Sequence, residues 1–286
     1  MSVARHVLTL SCANRPGIVA KVSAALFEGG FNILGAQQFD DTETGNFFMR
    51  VAFNGASETA NVEALRSEFA ALASAMKMKW SMRGEDQRKR VAMLVSRFDH
   101  CLVDLLYRWR SGELPMEIVA IIANYPRETY DHIDFDDIPF HYLPVDKQSK
   151  MEQEAQVWET VRAAKADVIV LARYMQILSD GLAAKLQGRC INIHHSFLPG
   201  FKGARPYHQA HARGVKLIGA TAHFVTSDLD EGPIIEQDVE RISHRDTPED
   251  LVRKGRDIEC AVLARAVRWH VEHRLAVCGA RTVVFN

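Results

Sequence analysis

Apolar positions recur along the chain with two periods. Over residues 6–12 apolar and polar side chains alternate, as on a strand with one buried face. A turn at Asn14-Arg15-Pro16-Gly17 follows, and over 18–28 the apolar residues take helical spacing, which Gly29-Gly30 ends. Strands over 33–40 and 46–53, a helix over 62–76 and a strand over 77–82 complete a βαββαβ order, the ferredoxin-like arrangement. The polar run Gly84-Glu85-Asp86-Gln87-Arg88-Lys89-Arg90 then reads as a linker.

Beyond that run the pattern changes. Residues 91–96, 118–123 and 168–172 are continuous apolar stretches, as in strands buried on both faces, and helical patterns at 101–110 and 151–164 lie between them. Strands alternating with helices predict an α/β unit with a doubly wound, mostly parallel sheet, in which ligands sit at the carboxyl ends of strands. The expected division is therefore 1–83, a linker at 84–90, and 91–286.

Composition narrows the function classes. The chain has 286 residues and a formal net charge of −1, so no global basic field recruits nucleic acid or an anionic membrane surface. No apolar run approaches the ~20 residues of a membrane span, and the first residues lack the apolar core of a signal peptide. Cys12, Cys101, Cys190, Cys260 and Cys278 are odd in number and scattered, with no Cys-x-x-Cys spacing. They read as reduced thiols in a cytoplasmic protein, not as a disulfide framework or zinc site.

Candidate chemistry lies in Cys190-Ile191-Asn192-Ile193-His194-His195-Ser196-Phe197-Leu198-Pro199 and in Asp228-Leu229-Asp230-Glu231-Gly232-Pro233. Strand alternation puts Asn192 and His194 on one face at a strand end. Attack on a carbonyl needs a donor to the developing oxyanion, a proton donor or charged stabiliser, and a group to hold the imidazole or activate water; Asn192, His194 and Asp230 suit these roles. Turn capping is the competing explanation for each of the three taken singly.

Asn192-Ile193-His194, Leu198-Pro199, Lys202-Gly203, Gly219-Ala220-Thr221-Ala222-His223-Phe224-Val225 and Asp230-Glu231-Gly232-Pro233-Ile234-Ile235 with Gln237 resemble the core of the 10-formyltetrahydrofolate-dependent formyltransferases. The resemblance covers most of 91–270 and implies Asn192, His194 and Asp230 as the catalytic trio, a Leu198-Pro199 peptide able to be cis, and no metal. Leu171-Ala172-Arg173-Tyr174-Met175-Gln176-Ile177-Leu178 resembles the family's pterin-binding segment, so Arg173, Met175, Gln176 and Leu178, with His223, are expected folate contacts. Arg173 stands where glycine is common. His208 and His211, three apart, permit a metal reading that no further ligand supports.

Two departures concern the acceptor. Family members acting on a phosphorylated amine carry a glycine-rich turn after the first strand, whereas this chain reads Ser96-Arg97-Phe98-Asp99-His100-Cys101-Leu102, a poor phosphate cradle. Residues Arg15-Pro16-Gly17-Ile18-Val19 and Gly30-Phe31-Asn32-Ile33 resemble an ACT domain, which implies an amino-acid effector and a homo-oligomer, dimer or tetramer. Together with His195 and Gly203-Ala204-Arg205-Pro206-Tyr207-His208, these features resemble the deformylase branch. That branch takes 10-formyltetrahydrofolate as substrate, uses no prosthetic group, and hydrolyses it to formate and tetrahydrofolate. The alternatives are formyl transfer to a non-phosphorylated amine and an inactive amino-acid-sensing regulator.

Overall fold

The computed structural model describes residues 4–56, 60–200 and 206–286. Lys202, Gly203 and Arg205 of the sequence motifs lie outside the described residues. Two compact units emerge: Met1–Arg88 with Glu272–Cys278 and Val283–Asn286, and Lys89–Val271 with Gly279–Thr282.

The first unit runs β1 (Arg5–Ala13), α1 (Ile18–Glu28), β2 (Phe31–Asp41), β3 (Asn46–Gly55), α2 (Val62–Ala75) and β4 (Lys79–Gly84). Its antiparallel sheet has the order β2-β3-β1-β4, the ferredoxin-like topology expected. Leu8, Val22, Leu26, Val51, Phe53 and Phe69 form its core, supplied by one face of the sheet and the apolar stripes of both helices. Asn61 caps α2, its side-chain oxygen accepting from the backbone N–H groups of Glu63 and Ala64. The last strand starts at Lys79, not at 77, because Lys77 takes a left-handed φ of 51° and Met78 turns its N–H back to the Ala73 carbonyl.

The second unit contains β5 (Lys89–Val95), α3 (His100–Arg110), β6 (Met116–Ala123), β7 (Phe140–Tyr142), α4 (Lys150–Ala163) and β8 (Val168–Leu171). There follow α5 (Asp180–Lys185), β9 (Cys190–His194), α6 (Pro206–Ala212), β10 (Leu217–Phe224), β11 (Ile234–Arg241) and α7 (Pro248–Val271). The sheet order is β11-β10-β9-β8-β5-β6-β7, parallel from β9 to β7, with β10 and β11 added antiparallel. Val91 to Val95 are fully buried, as their uninterrupted apolar run requires. The chain ends with β12 (Leu275–Cys278) and β13 (Arg281–Val284).

The observed division differs from the expected one at both ends. The connection shrinks to 85–88, since β4 extends to Gly84 and β5 begins at Lys89. Residues 272–278 and 283–286 group with the first unit instead of the second. There Arg50 donates to the Glu272 and His273 carbonyls at 3.2 and 3.1 Å, and Phe48, Cys278 and Phe285 close a small apolar cluster. Nothing local in a short polar-apolar tail reports which sheet it will cover.

Candidate active site

The strand ends at β8 and β9, with the loop after β10, open onto a cavity of about 550 Å³. Asn192, His194 and Asp230 all line it, and so do Arg173, Met175, Gln176, Leu178 and His223. These eight residues thus reach one chamber.

β9 sets the first two. It pairs in parallel with β8 and antiparallel with β10, opposing Asn192 to His223 and His194 to Thr221. The loop that follows is pinned by Thr221, whose hydroxyl donates to the Ser196 carbonyl and accepts from the Leu198 N–H, each at 3.0 Å. Gln237 adds bonds to the Leu198 carbonyl and to Thr221 at 3.1 and 3.0 Å. The Leu198–Pro199 peptide in this loop is cis.

Asp230 arrives from the other side on a left-handed residue with φ 58°. Gly232 makes the turn possible, because a Cβ there would lie 1.7 Å from the Phe224 carbonyl oxygen. Asp230 Oδ2 lies 3.3 Å from His194 Nδ1, and Oδ1 lies 3.6 Å from His223 Nε2. Burial pushes the Asp230 carboxyl up, but hydrogen bonds and charge from His194 and His223 outweigh it and hold the group well below the usual carboxylate range. Asp230 is therefore an anion that orients, and a weak base.

The tautomers follow from the partners. His223 Nδ1 lies 2.9 Å from the Phe224 carbonyl and donates to it, and its Nε2 meets Asn192 Nδ2 at 3.2 Å. One amide N–H of Asn192 is thereby fixed and the other remains for a ligand. His194, with Nδ1 facing the Asp230 carboxylate, has a buried Nε2 that has no hydrogen-bond partner among the described residues. A buried polar atom left bare at a cavity wall is costly unless a ligand satisfies it.

The expected folate segment divides in two. Met175 and Ile177 are 51 % and 60 % exposed at the cavity, apolar surface suited to cover a flat ring. Ser96 positions this segment, its hydroxyl donating to Asn124 Oδ1 at 2.8 Å and accepting from the Met175 N–H at 2.9 Å. Arg173, also at the cavity, adopts φ 63°, the conformation a glycine would take, and its Nε lies 3.2 Å from Glu259 Oε2. His223 lines the cavity too, with its ring nitrogens beside Asn192 and the Phe224 carbonyl.

The sequence reading missed Glu259 and the partners converging on it. His100 Nε2 lies 2.8 Å from Oε2, and the Tyr207 hydroxyl donates to Oε1 at 2.6 Å. Glu259 is buried, and although burial raises its pKa, His100 and the Arg173 charge together hold it below the ordinary range. The available signal was a glutamate on an otherwise apolar stripe, Leu251, Ile258, Val262 and Leu263, of α7. Thr247 and Asp250 bond reciprocally at that helix's start, a capping box the sequence displays. His100, Cys101 and Glu259 also bring three potential ligand atoms within 4.8 Å. A cation there would compete with Arg173 and would have to ionise a Cys101 thiol that burial pushes well above its ordinary range.

Comparison with known proteins agrees with this geometry. A formyl transferase family model matches residues 89–267 and an ACT domain model matches 6–70. A formyltetrahydrofolate deformylase from Corynebacterium sp. (strain P-1) is 50% identical over 285 residues, 99% of this chain and 98% of the relative. The chain belongs to the formyltetrahydrofolate deformylase family. Crystal structures of family members from Burkholderia mallei and Pseudomonas syringae superpose with TM-scores of 0.93 and 0.95 at 49% and 46% identity. The first match covers 99% of this chain and 100% of that one; the second covers 100% and 96%. The trio and the cavity lie in the part matched by the formyl transferase model. Among the described residues no helix is long and apolar enough to cross a membrane.

Proposed function

We propose that the chain hydrolyses 10-formyltetrahydrofolate to formate and tetrahydrofolate, with Asn192, His194 and Asp230 as the catalytic residues. The observation that carries the reading is the bare, buried Nε2 of His194, a residue at the cavity wall, while Asp230 holds Nδ1. Family membership supports the substrate, and the apolar 175–178 segment offers a bed for the pterin ring.

The formyl oxygen accepts from the free N–H of Asn192 and from protonated His194 Nε2, which together stabilise the oxyanion as water adds to the formyl carbon. Asp230 orients that water and holds the imidazole through Nδ1. Because its carboxyl is held so acidic, the water proton passes on through the hydrogen-bonded site instead of resting on Asp230. The tetrahedral adduct then collapses: the carbon–N10 bond breaks, its electron pair stays on N10, and N10 takes a proton.

The test is incubation of the purified protein with 10-formyltetrahydrofolate in buffer free of amines, following formate and tetrahydrofolate together. Equal release of both is expected. Asn192→Ala should slow turnover by about 10²–10³ with folate binding largely kept, and Asp230→Asn should be at least as damaging. Release that requires an added amine would replace hydrolysis by transfer. No release with any acceptor would leave a regulatory protein. The ACT unit supports an amino-acid effector and a homo-oligomer, which thermal shift with free amino acids and sedimentation would test.

A further inference from the structure

Three side chains meet on Glu259 for no purpose the trio requires. Oε1 accepts from the Tyr207 hydroxyl, while Oε2 faces His100 Nε2 and Arg173 Nε. All four residues line the cavity beside His194, and the His195 ring stands between, 5.2 Å from His194 and 6.4 Å from Tyr207 centre to centre.

The seat of Tyr207 is built, not incidental. Gly255 lies one turn before Glu259 on α7, and a Cβ at Gly255 would fall 2.1 Å from Tyr207 Cζ. A glycine inside a 24-residue helix costs about 1 kcal/mol relative to alanine, and here it opens the space the phenol ring fills. Arg173 accepts a second local cost, its left-handed backbone, to reach the same carboxylate.

We propose that Glu259, with Tyr207 and His100 bonded to it and the Arg173 guanidinium ion-paired beside it, is the acceptor-specificity element of the site, closing the side of the cavity next to His194 to amines. An amine reaches the chamber largely as an ammonium ion and must shed a proton before it attacks. A free carboxylate would attract it and take that proton. Both oxygens of Glu259 are already occupied, and the guanidinium beside them repels a second cation. Tyr207 and His195 wall that side, and water, small and neutral, is the nucleophile left. Burial and the Arg173 charge keep His195 itself uncharged at neutral pH.

This inference rests on the hydrolysis reading, which the amine-free assay tests by itself. The further experiment measures how the formyl group partitions between water and hydroxylamine, a small amine that is neutral at pH 7. Capture joins the amine nitrogen to the formyl carbon, releases tetrahydrofolate and gives formohydroxamate in place of formate.

Gly255→Ala should push the Tyr207 ring out of its seat, and Tyr207→Ala should remove it. Each should raise the hydroxamate-to-formate ratio about tenfold or more over the unaltered enzyme at equal hydroxylamine, after subtraction of the uncatalysed reaction. An unchanged ratio in either variant, with folate binding retained, would overturn the proposal. If neither folds, Tyr207→Phe decides, since it keeps the ring and frees Oε1 alone. A raised ratio then supports the element, and the wild-type ratio overturns it.

Discussion

Glu259→Ala is the sharpest perturbation of this site because one carboxylate holds three partners. Its removal leaves the Arg173 guanidinium, with a side chain only 10% exposed, without a counter-charge, and strips His100 and Tyr207 of contacts at 2.8 and 2.6 Å. Breaking a buried ion pair from one side costs about 3–5 kcal/mol, more than the net worth of the pair, because a bare charge stays inside. With a urea m-value near the upper end of about 1–3 kcal/mol/M, the midpoint of the affected transition should fall by about 1 M or more.

The assay is equilibrium urea unfolding of wild type, Glu259→Ala, Arg173→Gly and the double variant. Arg173→Gly alone takes the guanidinium from buried Glu259, which keeps His100 and Tyr207, but relieves the φ of 63°. In the double variant neither charge remains, so its loss should be smaller than the sum of the single losses by about 1–3 kcal/mol. A loss below about 1 kcal/mol for Glu259→Ala, or single losses that simply add, would refute the ion-pair account of this wall.

The pH dependence of stability offers another test. Burial first and the Arg173 charge second pull the His195 imidazole from its ordinary 6.5 to about 4. As pH falls from 6.5 toward 4 the unfolded chain binds a proton the folded one refuses, so His195 destabilises the fold progressively, by roughly 3 kcal/mol at the bottom of the window. His195→Gln should flatten that part of the curve; parallel curves for variant and wild type would contradict the buried neutral ring. Ser96→Ala removes the tie between Asn124 and the Met175 N–H. It should cost about 1 kcal/mol and raise KM for the folate more than it lowers kcat, whereas an equal loss in both would deny it a positioning role.

Much of this molecule is written in local pattern. Period-2 and period-3.6 runs located the first unit's strands and helices within a residue or two, and the apolar stretches of β5, β6 and β8 identified a parallel sheet, since only strands covered on both faces lose alternation altogether. Asn192 and His194 were legible because a polar pair at a strand's carboxyl end is displaced from any core it might serve. Asp230 was legible through the Asp-Glu-Gly-Pro motif it shares with the formyltransferases. Glu259 was not legible, because its meaning depends on residues from α3, the β8 loop and α6 meeting at one helix turn. Nor was the pairing of Arg173 with a carboxylate 86 positions away. Residues 272–278 and 283–286 likewise went with the first sheet through Arg50 and Phe48, contacts between distant segments. By itself the sequence determined the elements and the fold class, because backbone periodicity and turn chemistry act within a few residues, while the choice of Asn192, His194 and Asp230 as candidates came from the motifs shared with the formyltransferases. Only tertiary structure decided which charges neutralise one another and what space is left for a nucleophile, because desolvation and Coulomb energies depend on distances that local sequence does not set.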